Sequence, residues 1–270
     1  MEQNIMKIVV LYSGGIDSLA LYHYAKKLHP KAEIIAVYYN IGSGESTKEI
    51  PLLPGFVEVK NIDWLDNGGS LSIQDKRIGN YFVPGRNSVF VQLAAFQYLP
   101  DQVWLGVLHG EDTESLKDRR PEFLEMTNSI INYILLDYDK TCIVRTPFVE
   151  YNISKNDTVP LLIECGVDTS VISSVPTCFS YDTFACGNCA KCFKLAMSLY
   201  ENNVLDIDKF DEHPLQSNFA NKYIESIILQ KQGKDKITSD DTLTYMWPVV
   251  DKLYRDDMLS VNNKELYENN

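Results

Sequence analysis

The sequence has no apolar run approaching the roughly 20 residues that a helix needs to cross a bilayer. It lacks an excess of positive charge: 25 Lys and Arg face 37 Asp and Glu, a formal net charge of −12. That balance argues against a general nucleic-acid surface, which needs cations to meet phosphates. The opening residues lack the marks of a secretory leader, because their short apolar run passes straight into a glycine turn with no small-residue cleavage site. A cytoplasmic location is therefore expected. A reducing cytoplasm keeps thiols from pairing, so clusters among the six cysteines read as metal ligands or redox groups. Internal repeats and low-complexity segments are also missing.

What is present suits a soluble globular chain: 270 residues, 45 % of them apolar, with a mean hydropathy of −0.18. That length buries a sizeable core without covalent staples. Short β-branched or apolar runs (7–11, 33–39, 56–59, 103–108, 142–145) alternate with helically spaced segments (19–28, 89–99, 121–135, 156–164). This alternation predicts an α/β fold with a mostly parallel sheet covered on both faces. After Gly166 the pattern changes. Residues 173–192 are turn-rich with four cysteines, and helical segments follow at 215–230 and 243–254, with Gly233 and Pro248 read as breaks. The expected organisation is an α/β domain over 1–170, a four-cysteine lobe over 171–200, and a helical extension over 201–270. The extension holds 14 acidic and 8 basic residues, half the chain's negative excess.

Between the first strand and first helix lies Ser13-Gly14-Gly15-Ile16-Asp17-Ser18. The glycines let the backbone bend and approach a ligand. Unpaired amides at the helix start, with the helix dipole, form an anion site, and Ser13 and Ser18 add hydroxyls. Asp17 repels a bare phosphate and so calls for a bridging cation such as Mg²⁺. The plain alternative is a turn capped by Asp17 or Ser18. No Gly-Lys-Ser/Thr follows, so this is not a Walker loop, and it is not the dinucleotide G-x-G-x-x-G.

Arg86 and Asn87 follow Val83-Pro84-Gly85 at another helix start. Arg86 can grip an anion bidentately or make a surface ion pair, and Asn87 can serve as an N-cap. Lys117, Arg119 and Arg120 flank Asp118 just before a helix that opens with Pro121. Cations are disfavoured at helix N-termini; a bound anion removes the conflict, and an exposed loop is the alternative. His109 and Asp112 lie in the loop after the 103–108 run, where ligands of open parallel sheets bind. His109 reads as a polar contact rather than a general base. Lys155 opens a predicted helix, where a lone lysine is ordinarily a surface residue.

Cys178, Cys186, Cys189 and Cys192 are spaced C-x7-C-x2-C-x2-C. Cys186-Gly187-Asn188-Cys189 aims two thiolates at one ion, and four thiolates suit a closed tetrahedral Zn²⁺ site of structural kind. An iron–sulfur cluster is the alternative, but the C-x3-C-P that completes a ferredoxin run is absent. Cys142 and Cys165 read as buried hydrophobes.

The Ser13–Ser18 motif resembles the signature of the ATP pyrophosphatases, the PP-loop family. In order along residues 7–197, it is joined by Val83–Asn87, by Asp118 and Arg120–Phe123, by Pro147 and Lys155, and by the four cysteines. Together these resemble the 7-cyano-7-deazaguanine synthases, the QueC family of the queuosine pathway. The resemblance implies a Rossmann-like PP-loop domain with a zinc-bearing lobe. It implies ATP-driven conversion of 7-carboxy-7-deazaguanine and ammonia to the nitrile, through an adenylate, an amide and a second activation. It also implies roles. Ser13, Gly14, Gly15, Asp17 and Ser18 hold pyrophosphate with Mg²⁺, aided by Asn87 and Arg120. Arg86 and Lys155 stabilise charge developing on the phosphates. Asp118 and its neighbours bind the deazapurine or carry the nucleophile.

This chain departs from the family where Leu116-Lys117 replaces Tyr-Pro, Arg119 replaces a cysteine, and Val175–Phe179 replaces an aromatic-rich segment. Leu195 replaces an arginine, and the crossover holding Pro51 and Pro54 is too short for a full helix. The ATP half of the site is thus better kept than the acceptor half. A QueC-like enzyme joining the acid to another amine, such as one on a protein, is the second reading. An inactive zinc-stabilised binding subunit is the third, and the intact loop and Lys155 speak against it. A tRNA thiolase is the fourth, disfavoured by the net acidity. A homodimer stands as the alternative to a monomer.

Overall fold

A computed structural model describes residues 5–42, 46, 49–62, 73–75, 80–82, 85–110, 117–175, 178, 185–234 and 240–269. The chain divides into two units, Met1–Val107 with Thr113–Pro147, and Leu108–Asp112 with Phe148–Asn270.

In the first unit, β1 (Lys7–Leu11), β2 (Glu33–Asn40), β3 (Val57–Asn61), β6 (Gln102–Trp104) and β7 (Ile143–Arg145) form one sheet in the order β3-β2-β1-β6-β7. Every neighbouring pair is parallel. The centre of β1 is wholly buried at Ile8, Val9 and Val10, as a strand covered on both faces requires. Parallel neighbours force each connecting helix to start at the sheet's carboxyl edge and run back. Those helices are α1 (Ile16–Leu28) after β1, α2 (Arg86–Tyr98) before β6, and α3 (Pro121–Leu135) between β6 and β7. Val91, Ala95, Ile131 and Leu135 from α2 and α3 pack on Val9, Val103 and Val144 of the sheet. Strand order reverses between β1 and β6, the place where open α/β sheets leave a crevice for ligands.

Two details differ from the sequence reading. The strand expected over 103–108 ends at Trp104. Its partner β7 stops at Arg145, the amide of Leu105 makes one last bond to the Arg145 carbonyl, and Pro147 has no amide to continue the ladder. A short antiparallel hairpin, β4 (Ile73–Asp75) with β5 (Asn80–Phe82), was not expected. In the shortened crossover, Ser46 and Glu49 are helical and lead into a 3₁₀ turn over Ile50–Leu52.

Edge strand β7 is sealed from its own unit. Ile143 donates to Asp101 on the β6 side, while Cys142 and Val144 point their backbone groups outward. The Asn132 side chain donates to the Cys142 carbonyl and accepts from its amide, both at 2.9 Å. Asn128, one helical turn earlier, does the same for Val144 at 3.2 and 2.7 Å. Two side-chain amides thus stand in for a missing strand, so the edge offers no template for another chain.

The second unit contains α4 (Thr158–Glu164), α5 (Thr169–Ser173), α6 (Ala190–Glu201), α7 (Asn218–Lys231), α8 (Asp240–Arg255) and α9 (Val261–Glu268). Phe193 and Met197 of α6 share a core with Ile224 and Ile228 of α7 and Val249 and Leu253 of α8, so residues 190–200 and 201–270 pack as one body. Pro248, expected to break a helix, lies inside α8. It is exposed, while Met246, Val249, Val250 and Leu253 bury the opposite face, and that packing outweighs the lost hydrogen bond. The helix expected from Asn156 begins at Thr158, because the Asp157 carboxylate holds the Ser154 amide at 2.7 Å and closes a turn. Cys142 is buried as expected, and burial pushes its thiol up to about 12. Cys165 is only half-buried, at the end of α4.

Candidate functional site

Four residues turn the chain from β1 into α1. Gly14 adopts φ +81°, a conformation L side chains rarely take. The helix cap is Gly15, in extended backbone and without a side chain to offer. The alternative of a cap by Asp17 or Ser18 is therefore overturned: both lie inside the first turn. Ser18 is buried and its hydroxyl donates back to the Gly15 carbonyl at 2.8 Å. Ser13 is exposed and reaches the Ser18 hydroxyl at 3.4 Å. Asp17 is half-buried beside them.

The starts of α2 and α3 share that design. Gly85, at φ +72°, caps α2 without a side-chain bond. Arg86 is thus the first helical residue, and the reading of Asn87 as an N-cap is overturned. Arg120 caps α3 in extended backbone, again with no side-chain bond. Asp118 sits half-buried in the 3₁₀ turn Lys117–Arg119 just before it. By contrast, Asp168, Ser217 and Ser260 in the second unit each accept a first-turn amide of α5, α7 and α9. The starts of α1, α2 and α3 all belong to the carboxyl edge of one sheet. Amides at such ends carry partial positive charge, and here Arg86 and Arg120 stand with them. Val83, Pro84, Asp112, Leu116, Pro176, Thr177 and Phe179 lie outside the described residues.

One acidic neighbour escaped the sequence reading. The Tyr38 hydroxyl donates to Glu49 Oε2 at 2.7 Å. The Glu49 side chain runs along the glycine turn, so that a Cβ on Gly14 would stand 3.3 Å from its Cδ. Nothing in the spacing of Gly14 and Glu49 signals this, because the crossover alone brings them together.

Lys155 and His109 belong to the second unit. The His109 amide donates to the Ile153 carbonyl at 2.9 Å. Lys155 is half-buried in a turn three residues before α4 rather than at its opening. Its carbonyl is fixed by the hydroxyls of Thr158 at 2.7 Å and Ser198 at 3.1 Å.

The sulfur atoms of Cys178, Cys186, Cys189 and Cys192 all lie within 4.8 Å of one another, three half-buried and Cys192 buried. The Cys186 amide donates to Cys178 Sγ at 3.3 Å, and the Asn188 amide to Cys186 Sγ at 3.4 Å. Such donors favour thiolates. Cys189 is also the residue preceding α6, and Cys192 lies within that helix rather than at its start. Without a cation the set resists ionising. Burial pushes Cys186 up to about 11, and the hydrogen bond with Cys189, then burial, push Cys192 up further. A bound cation reverses both effects, so the donor chemistry fits a metal ion.

The family model described as queuosine biosynthesis protein QueC matches residues 65–203. A relative named 7-cyano-7-deazaguanine synthase 1, from Colwellia psychrerythraea, is 28 % identical over 221 residues, covering 74 % of this chain and 96 % of that protein. A 7-cyano-7-deazaguanine synthase from Bacillus subtilis is 28 % identical over 204 residues, covering 69 % and 90 %. Among solved structures, the U34-tRNA thiolase NcsA from Methanococcus maripaludis with its [4Fe-4S] cluster matches with a TM-score of 0.39 and 15 % identity, over 79 % of this chain and 69 % of that one.

Proposed function

The chain belongs to the QueC family, and from that premise we propose that it is an ATP-dependent ligase converting 7-carboxy-7-deazaguanine and ammonia to 7-cyano-7-deazaguanine. The observation that carries this is the set of three helix starts at one sheet edge, each left without a side-chain cap. Amides at helix starts of this kind form a ready binding place for a triphosphate.

In this reading the substrate carboxylate attacks the α-phosphorus of ATP, and pyrophosphate leaves into the Ser13–Ser18 turn. Ammonia attacks the acyl carbon, AMP departs, and an amide results. The amide oxygen then attacks the α-phosphorus of a second ATP and pyrophosphate leaves again; loss of AMP and of the two nitrogen-bound protons gives the nitrile. Arg86, Arg120 and Asn87 bind phosphate oxygens, and Lys155 stabilises charge developing on them. Asp17, with Glu49 beside the same turn, would hold Mg²⁺, which neutralises phosphate charge. Asp118 orients the deazapurine or the incoming amine.

The four cysteines hold zinc as a structural ion. A tetrahedral ion with Zn–S bonds of about 2.3 Å places its sulfurs about 3.8 Å apart, compatible with a set that lies within 4.8 Å. A four-iron cube spreads its thiolates over separate irons and needs a wider set. With four protein ligands the ion has no open position for chemistry. The described residues include no helix long and apolar enough to cross a membrane.

The test is turnover by purified protein supplied with Mg-ATP, 7-carboxy-7-deazaguanine and ammonium, read by mass spectrometry. Nitrile formation is the expected result. An amide or adenylate that never becomes nitrile would refute the assignment of product, and no pyrophosphate with this acid would refute the ligase.

A further inference from the structure

Lys155 sits in a turn whose shape is set locally. The Asp157 carboxylate accepts the Ser154 amide at 2.7 Å. The Lys155 carbonyl accepts the Thr158 amide at 3.3 Å and the Thr158 hydroxyl at 2.7 Å. One further bond comes from far along the chain. Ser198, near the end of α6 and wholly buried, donates its hydroxyl to the same carbonyl at 3.1 Å. A serine inside a helix commonly bonds the carbonyl four residues back, as Ser129 of α3 and Ser226 of α7 do at 2.8 and 3.1 Å. The Ser198 hydroxyl is turned out of its helix to Lys155 instead. Glu201 follows one helical turn later, and burial, then the Asp157 carboxylate, push its carboxyl up. Two residues of α6 thus face the Lys155 turn.

We propose that Ser198 is a positioning residue for Lys155: its hydroxyl fastens the turn to α6 and so fixes the point from which the lysine reaches out. This rests on the reading that Lys155 stabilises charge developing on the phosphates. The bonds from Asp157 and Thr158 give the turn its shape but travel with it, because their partners lie within residues 154–158. The His109 amide anchors the chain at Ile153, just before the turn; Ser198 anchors it at Lys155 itself. Its helix is a firm support, since Phe193 and Met197 hold α6 in the core shared with α7 and α8. A lysine carries its compact charge on a flexible four-carbon stem, so an error at its backbone passes on to the ammonium. Misplacing a stabilising group by about 1 Å costs on the order of 100-fold in rate. Losing the Ser198 bond should therefore slow the chemical step and spare the fold. Alanine forms helix better than serine, and the Lys155 carbonyl keeps the Thr158 hydroxyl, so Ser198→Ala strands no buried group.

Two measurements on the full chain test this. An acyl phosphate of ATP transfers its acyl group to an amine beside the phosphates, and peptide mass spectrometry reads which lysine is modified. Wild-type Lys155 should be acylated, and Mg-ATP should protect it. Ser198→Ala should slow that acylation about tenfold, with other lysines and the circular dichroism spectrum unchanged. In acid-dependent exchange of labelled pyrophosphate into ATP, Ser198→Ala should lower kcat about tenfold and leave KM for ATP within about twofold. In a Lys155→Ala background it should cost nothing further. Ser198→Cys, close in size but a weak donor, should repeat the loss and stands in if the alanine variant does not fold. Ser226→Ala should change neither reading. Acylation of Lys155 at the wild-type rate in the Ser198 variants would overturn this proposal alone, as would a loss undiminished in the Lys155→Ala background. A wild-type Lys155 that the probe never modifies would overturn the reading of the lysine, and the proposal with it.

Discussion

Gly187 stands so close to Glu212 that a Cβ added to it would lie 1.9 Å from the Glu212 carbonyl oxygen. Gly187 sits between two metal-ligand candidates at φ +74°. The Asp211 amide donates to the Ala185 carbonyl at 2.9 Å, and the Asn188 side chain accepts from the Phe219 amide at 2.9 Å. The helical segment after residue 200 thereby braces the cysteine turn, which gives a structural use to residues that carry no motif.

Gly187→Ala should therefore loosen both partners at once. Left-handed backbone alone costs an alanine roughly 1–2 kcal/mol, and the clash adds to it. A loss of about 2–4 kcal/mol in urea denaturation is expected, with faster metal release to a chelator. Unchanged stability would mean that the 210–220 segment does not brace the turn.

Metal affinity should rise with pH. Without a cation, Cys186 and Cys192 hold their protons well above neutrality, so binding must expel them, and acid competes with the ion. Competition against a chromophoric chelator should show tighter binding at pH 8 than at pH 6. Elemental analysis should find zinc; iron with a visible absorption band would contradict the assignment.

Removing Asn128 should cost more than a surface asparagine normally does. Asn128→Ala strands the amide and carbonyl of Val144 at a partly buried edge, worth about 1–3 kcal/mol. Asn128→Asp keeps the acceptor but loses the donor, so its loss should be smaller. Chemical denaturation of the two variants tests the order.

These features were unequally legible in the sequence. The parallel sheet followed from apolar runs such as Lys7–Leu11 set between helical periods, because burial on both faces leaves that mark. The cysteine turn was legible because ligand spacing is local. The Asn128 and Asn132 pair was not: at helical spacing two asparagines look solvated, and their use depends on β7, which follows later in the chain. Glu49 was hidden for the same reason. The caps that Asp17 and Asn87 offered as alternatives are not the ones used, because residue preference names good caps and cannot show at which residue a helix starts.

Glu201→Gln should stabilise the protein at neutral pH. Glu201 Oε2 is buried without a hydrogen-bond partner, and burial, then Asp157, raise the carboxyl above its usual 4.5. The folded state thus holds that proton more tightly than the unfolded one, and stability is lost as pH rises through the folded value. Thermal melts should show the variant ahead at pH 7 and level with wild type below about pH 4. A variant less stable at pH 7 would show that the charge is compensated.

The account rests on ATP being cleaved at the Ser13–Ser18 turn to activate a carboxylate, and exchange of labelled pyrophosphate into ATP measures that step alone. Wild-type protein with Mg²⁺ should exchange only when 7-carboxy-7-deazaguanine is present, and Asp17→Ala should lose the exchange with its fold intact. Absence of exchange with this acid in the wild type, or exchange that survives Asp17→Ala, would contradict it.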